Sequence, residues 1–171
     1  MFPAHIFEYQ LLDSCLLSNL IAEIIKIQEK CNLSIWTADN YRDEFIRNDS
    51  KQIIVLNKKN IIGFAIMRLI ISNKTNAYDS TELFFNEAEI LQIAVDPAFQ
   101  RRGVGKNLLK KIIEVGVSFG IKAIWLEVRV SNHKAINFYR KNNFYHIYTR
   151  TNYYRNPSEN AWIMQRNSEK C

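Results

Sequence analysis

The chain has 171 residues, 47% of them hydrophobic, with a formal net charge of +6. That is enough for one globular domain with a real core over residues 1–171, and no repeat or low-complexity stretch suggests a boundary. The longest apolar run, 61–71, is interrupted by Arg68, so no membrane span is expected. The opening Met-Phe-Pro-Ala-His lacks a signal-peptide pattern, and Cys15, Cys31 and Cys171 are too few and scattered for a disulfide framework or metal site. A reducing cytoplasm is the expected compartment. The positive charge suits an anionic ligand or surface, or simply a basic solvated exterior.

In chain order, residues 5–11 read as a strand. Asp13 or Ser14 then caps a helix running towards Lys30, with Leu16, Leu17, Leu20, Ile21, Ile24 and Ile25 at helical spacing as its core face. A connector at 31–36 leads to a short helix over 37–48. Strands follow at 52–56 and 61–71, joined by the turn sequence Asn57-Lys-Lys-Asn60. Residues 72–86 form a polar segment, long for a connection inside a compact domain and therefore functional or mobile. A strand at 89–95 stops at Asp96-Pro97, and Gln100-Arg-Arg-Gly-Val-Gly-Lys106 opens a helix anchored by Val104, Leu108, Ile112 and Val115. Another strand, 123–129, precedes a helix after Ser131-Asn132 that carries Tyr139. Strands at 144–149 and 161–165, separated by a loop with Tyr, Asn and Pro, complete the chain.

Two places carry chemistry. The strand, glycine turn and helix around Arg101, Arg102, Gly103, Val104, Gly105 and Lys106 put backbone N–H groups and cations at a helix N-terminus, where phosphates bind. Gly103-Val-Gly105 lacks the third glycine of a dinucleotide fingerprint and the Ser or Thr of a P-loop, so neither label fits, and a purely structural glycine pair is the alternative. In the second place, Glu127 shares a strand face with Trp125 and Arg129. It is either an ion-pair partner of Arg129 or of a neighbouring strand, or a partly desolvated carboxylate fit to accept a proton. Tyr139 is weaker by itself, since a Tyr on a helix beside Phe138 is more often core than catalyst. His5, His133 and His146 have no metal-ligand or triad spacing, and no metal is expected.

Ile93-Ala-Val-Asp-Pro, Gln100-Arg-Arg-Gly-Val-Gly-Lys, Leu126-Glu-Val-Arg-Val-Ser-Asn and Ala135-Ile-Asn-Phe-Tyr-Arg-Lys-Asn-Asn-Phe144 together resemble the GNAT superfamily of acetyl-CoA-dependent N-acetyltransferases. Trp125-Leu-Glu-Val-Arg129 and Asn152-Tyr-Tyr154 resemble its RimI-like branch, which acetylates the N-terminal alanine of a small-subunit ribosomal protein (number eighteen). The resemblance is dense over 87–166. It implies an α/β fold with a mixed sheet of six or seven strands, about four flanking helices, and a splay between the fourth and fifth strands.

It also implies roles. Backbone groups of Ile93, Ala94 and Val95 would hold the pantetheine arm of acetyl-CoA, amides of Arg101 to Lys106 its pyrophosphate, and Asn132 the arm again. Glu127 would take the acceptor's proton and Tyr139 would protonate the departing thiolate, without a cysteine nucleophile. Trp36, Tyr153 and Tyr154 would flank the peptide. Departures are Ser34-Ile35 before Trp36, Arg155 after the paired tyrosines, and the long 72–86 segment; these bear on the acceptor. The expected acceptor is an α-amine: with a pKa near 7.7–8.0 it is roughly a tenth to a sixth neutral at pH 7, against about 0.04% for lysine. A small-molecule amine such as a polyamine or antibiotic is the alternative, and a ribosome- or rRNA-binding module is a third reading resting on charge alone, without clustered exposed aromatics.

Overall fold

The computed structural model describes residues 8–11, 17–33, 36–71 and 85–167. The expected cap at Asp13 or Ser14, His5, Cys15, Ser34, Ile35, Cys171 and most of the 72–86 segment lie outside these residues. Seven strands, numbered β1 to β7 in chain order at 8–11, 50–57, 60–71, 85–95, 123–129, 145–155 and 158–167, are hydrogen-bonded in the order β1-β2-β3-β4-β5-β7-β6, and four α-helices are described. The chain divides into two compact units: Met1–Arg68 with Gln92–Val115, and Leu69–Leu91 with Gly116–Cys171.

In the first unit, β1 (Glu8–Leu11) pairs antiparallel with β2 (Ser50–Asn57), and β2 with β3 (Asn60–Ile71). The β2–β3 turn closes at Asn57 opposite Asn60, with Lys58 in the left-handed region at φ 59°. Residues 62–67 of β3 are buried without alternation, which is why this strand reads as a continuous apolar run. Helix α1 (Leu17–Lys30) buries Ile21, Ile24, Ile27 and Gln28. Helix α2 (Ala38–Phe45) begins at a capping box in which Thr37 and Asn40 satisfy each other's backbone N–H groups. Helix α3 (Val104–Ser118) buries Val104, Leu108, Leu109, Ile112 and Ile113, while Val115 is half-buried. Arg68, the charge that breaks the apolar run, pairs with Glu44, whose side chain is only 4% exposed. Removing either partner would strand the other's charge.

In the second unit, the first half of β4 (Phe85–Val95) runs parallel to β5 (Ala123–Arg129), from Glu87 opposite Ala123 to Ile90 opposite Leu126. The parallel ladder comprises these four pairs. Phe85 and Asn86 belong to β4 rather than to the polar segment before it. Helix α4 (His133–Arg140) follows, capped by Asn132. The last two strands are longer than their sequence suggests: β6 (Tyr145–Arg155) and β7 (Ser158–Asn167) meet at a tight Asn156-Pro157 turn with a cis peptide. Tyr153 and Tyr154 therefore lie on a strand, not in a loop. Two register shifts in β6 absorb the mismatch, and every residue of this edge strand but Tyr154 is exposed, which hides the alternation a half-buried strand would show.

Candidate active site

The glycine turn lies in the first unit. Asp96 ends β4 and caps a one-turn 3-10 helix, Pro97–Phe99, its carboxylate accepting from the Ala98 N–H at 2.9 Å. Arg101 (φ 62°) and Gly103 (φ 82°) both take left-handed conformations, and α3 starts with Asn107 N–H donating to the Gly103 carbonyl at 3.0 Å. A Cβ built on Gly103 would meet nothing within 4 Å, so that side of the turn is open. Arg101, Arg102 and Lys106 are exposed, and Gly105 is half-buried. Open backbone, three solvated cations and a helix start fit a polyphosphate.

The end of β4, where the cofactor arm is expected, is fixed by groups that the sequence did not single out. The Val95 carbonyl accepts from Gln100 Nε2 at 2.9 Å and from the Cys31 thiol at 3.3 Å. Asp96 pairs with Lys30 at 2.7 Å, which draws its carboxyl below the usual range, and Asp96 N–H donates to the Ile62 carbonyl. Burial, reinforced by Asp96, raises the Cys31 thiol above its ordinary pKa and so disfavours a thiolate nucleophile. Gly63 is required here for close approach: a Cβ would stand 2.9 Å from the Ala94 carbonyl oxygen and 3.3 Å from Val95 Cγ2. Ala94 and Val95 are buried, and Ile93 is half-buried.

Trp36 is half-buried in the same unit. Gln28 holds its backbone twice, Trp36 N–H to Oε1 at 3.0 Å and Nε2 to the Trp36 carbonyl at 3.2 Å. The Tyr41 hydroxyl lies 2.7 Å from Gln28 Oε1 and 2.6 Å from Gln92 Oε1, and its ring is 5.2 Å from that of Trp36. This buried polar group ties α1, α2 and β4 to the tryptophan, and burial raises the Tyr41 phenol well above its ordinary pKa.

The second unit contains Glu127, Tyr139, Asn132, Tyr153 and Tyr154. Glu127, 17% exposed, lines a cavity of about 220 Å³ with Glu87, Glu89, Trp125, Tyr148 and Arg150. Trp125 Nε1 donates to Glu87 at 3.1 Å. The ion partner of Glu127 is Arg150 on β6, not Arg129, whose guanidinium instead serves Glu159 and the Asn156 and Pro157 carbonyls and lies 4.0 Å from the centre of the Tyr154 ring. Tyr139 is buried against Phe138 and Phe144 at ring separations of 5.5 and 5.7 Å. Burial, then nearby Tyr154, raises its phenol, so it stays protonated. A hydrogen bond to Glu127 raises Tyr153; burial, followed by Glu127, takes Tyr154 to about 12. The Asn132 side-chain oxygen is committed to the Ala135 N–H at 3.1 Å, which leaves its amide NH2 for a ligand. Of the histidines, His133 is exposed and His146 contacts Thr149 and Trp162; no group of potential metal ligands occurs among the described residues.

Strand β4, helix α3 and strand β5 form a parallel β-α-β unit of an α/β protein, with the glycine turn opening its helix and Glu127 on its last strand. Residues 21–144 match the family model described as Acetyltransferase (GNAT) family, and the chain belongs to that family. It is 33% identical over 147 residues to the [ribosomal protein bS18]-alanine N-acetyltransferase of Haemophilus ducreyi, covering 82% of this chain and 89% of that protein. The Salmonella typhimurium enzyme of the same name is 40% identical over 88 residues, 52% of this chain. That match spans 60% of the Salmonella protein's length. The crystal structure of the Escherichia coli ribosomal-protein-S18-alanine N-acetyltransferase shares the fold, with a TM-score of 0.78, 24% identity and coverage of 97% of this chain and 96% of that one.

Proposed function

We propose that this chain transfers an acetyl group from acetyl-CoA to the N-terminal α-amine of a protein, most specifically the N-terminal alanine of ribosomal protein bS18. The observation that carries this reading is the alignment with the Haemophilus ducreyi alanine N-acetyltransferase across 89% of its length. Both compact units would serve one acetyltransferase domain, since the matched residues 21–144 run through segments of each.

Acetyl-CoA would supply the activated acetyl group. The amides of Arg101 to Lys106 would hold its pyrophosphate, the backbone of Ile93, Ala94 and Val95 its arm, and the Asn132 amide the arm's polar groups. Glu127 would receive the acceptor's proton, directly or through water, and Tyr139, kept protonated by burial, would supply one to the departing thiolate. Trp36, Tyr153 and Tyr154 would border the peptide. The +6 charge would suit recognition on an RNA-bearing particle, and no described helix is long and apolar enough to cross a membrane. We place the activity in the cytoplasm.

The test is acetyl transfer to a short alanine-ended peptide with a free N-terminus and an internal lysine, beside its N-blocked counterpart, followed by mass mapping. Acetate on the α-amine is expected. Acetate mainly on lysine, or turnover only with polyamines or aminoglycosides, would overturn the assignment.

A further inference from the structure

We infer that Arg150 occupies the acceptor amine's place beside Glu127 and yields it when an acceptor binds, so that this one side chain sets acceptor affinity. The inference rests on the reading of Glu127 as the group that meets the acceptor amine. The Arg150 guanidinium pairs with Glu127, lies 3.4 Å from the Tyr148 hydroxyl and stands 5.3 Å from the centre of the Tyr153 ring. A carboxylate, a phenol oxygen and an aromatic face are what an incoming ammonium seeks. Here they already hold a cation that belongs to the chain.

The geometry makes exchange feasible. Glu127 is the buried anchor at 17% exposure, while the Arg150 side chain is 44% exposed and has solvent to return to. Arg150 lies on an edge strand opposite Ala161, at the last paired position before the Arg150/Tyr154 register shift. The charged and titratable groups around it are Glu87 and Glu89 from β4, Glu127 from β5, and Tyr148 and Tyr153 from β6. Among the described residues lining this cavity, Arg150 is the only cation. Its charge opposes an ammonium in the ground state and equally opposes the positive charge that grows on nitrogen during attack.

The experiment is steady-state kinetics of the full chain with saturating acetyl-CoA and the alanine-ended peptide. Arg150→Gln is expected to lower the acceptor KM about two- to fivefold with kcat at or above the parent value, the size that a partly exposed ion pair supports. Arg150→Lys, which restores the charge, is expected to return KM to its high value. Low-millimolar guanidinium ion is expected to raise the KM of Arg150→Gln more than that of the parent. A KM for Arg150→Gln at or above the parent's, or a fall in kcat at unchanged KM, overturns the exchange. Glu127→Gln separates the two layers: retained turnover removes the reading of Glu127 and this inference with it. Lost turnover alongside an unmoved Arg150→Gln KM sinks the exchange alone.

Discussion

The glycine turn of the first unit and the Glu127 wall of the second are built on different principles. In the turn, the groups proposed to face a ligand are backbone amides, and what would make them available is local: left-handed Arg101 and Gly103, an open side at Gly103, and the first residues of α3. A few neighbouring residues suffice. On the Glu127 wall the groups are side chains from separate strands, Glu87 and Glu89 on β4, Glu127 on β5, Tyr148 and Arg150 on β6. Which of them meet depends on register, and two shifts in β6 set that register. A backbone site should therefore fail through conformation, and a side-chain site through the loss of single functional groups.

The largest expected effect tests the side-chain half. Glu127→Gln should lower turnover roughly 10²-fold or more, because only proton-accepting capacity is removed, while acetyl-CoA affinity changes little. Tyr139→Phe should act similarly by deleting one hydroxyl. Kinetics paired with calorimetric titration check both, and near-parental turnover in Glu127→Gln would reduce that carboxylate to an ion-pair residue. Next comes the backbone half. Gly103→Asp puts a strained φ and a like charge at the turn, so acetyl-CoA affinity should fall about tenfold or more in a protein that still folds. Unchanged affinity by calorimetry would remove the turn from the cofactor site.

Gly63→Ala sharpens the contrast, since it alters no group expected to touch a ligand. Its methyl would press on the Ala94 carbonyl, so a loss of about 1–3 kcal/mol in stability is expected, with a severalfold weaker hold on acetyl-CoA. Urea unfolding and titration together read this; full affinity in a destabilised protein would show that the end of β4 does not position the cofactor. The smallest effect is alkaline. Tyr41 and Tyr139 have folded pKa values raised above the unfolded value of about 10, so the stability linked to their protonation is complete below that pH and is lost as pH rises beyond it. Urea midpoints should fall above about pH 10, and each Tyr→Phe variant should flatten that decline. A slope identical to the parent's would mean these phenols do not titrate differently on unfolding.

The aromatic exposure on β6 corrects one expectation directly. The sequence offers no sign of clustered exposed aromatics, yet Tyr145, Tyr148 and Tyr153 are all more than 40% exposed on one strand. Tyr145 and Tyr148 fall within the strand expected at 144–149, whose place at the sheet edge leaves them exposed, and only Tyr153 lies in the stretch that reads as a loop.

By itself the sequence determined the β-α-β order, the turn at Arg101 to Lys106, the apolar faces of α1 and α3, and the common face of Trp125 and Glu127. These depend on glycine conformation, helical periodicity and strand alternation, all written within a few consecutive residues. Only the tertiary structure decided that Glu127 pairs with Arg150 while Arg129 serves Glu159, that Cys31 and Gln100 both cap the Val95 carbonyl, and that Gly63 leaves room for Ala94. Each of these joins residues on different elements. Such partnerships are fixed by strand order, register and close packing, and no local pattern encodes them.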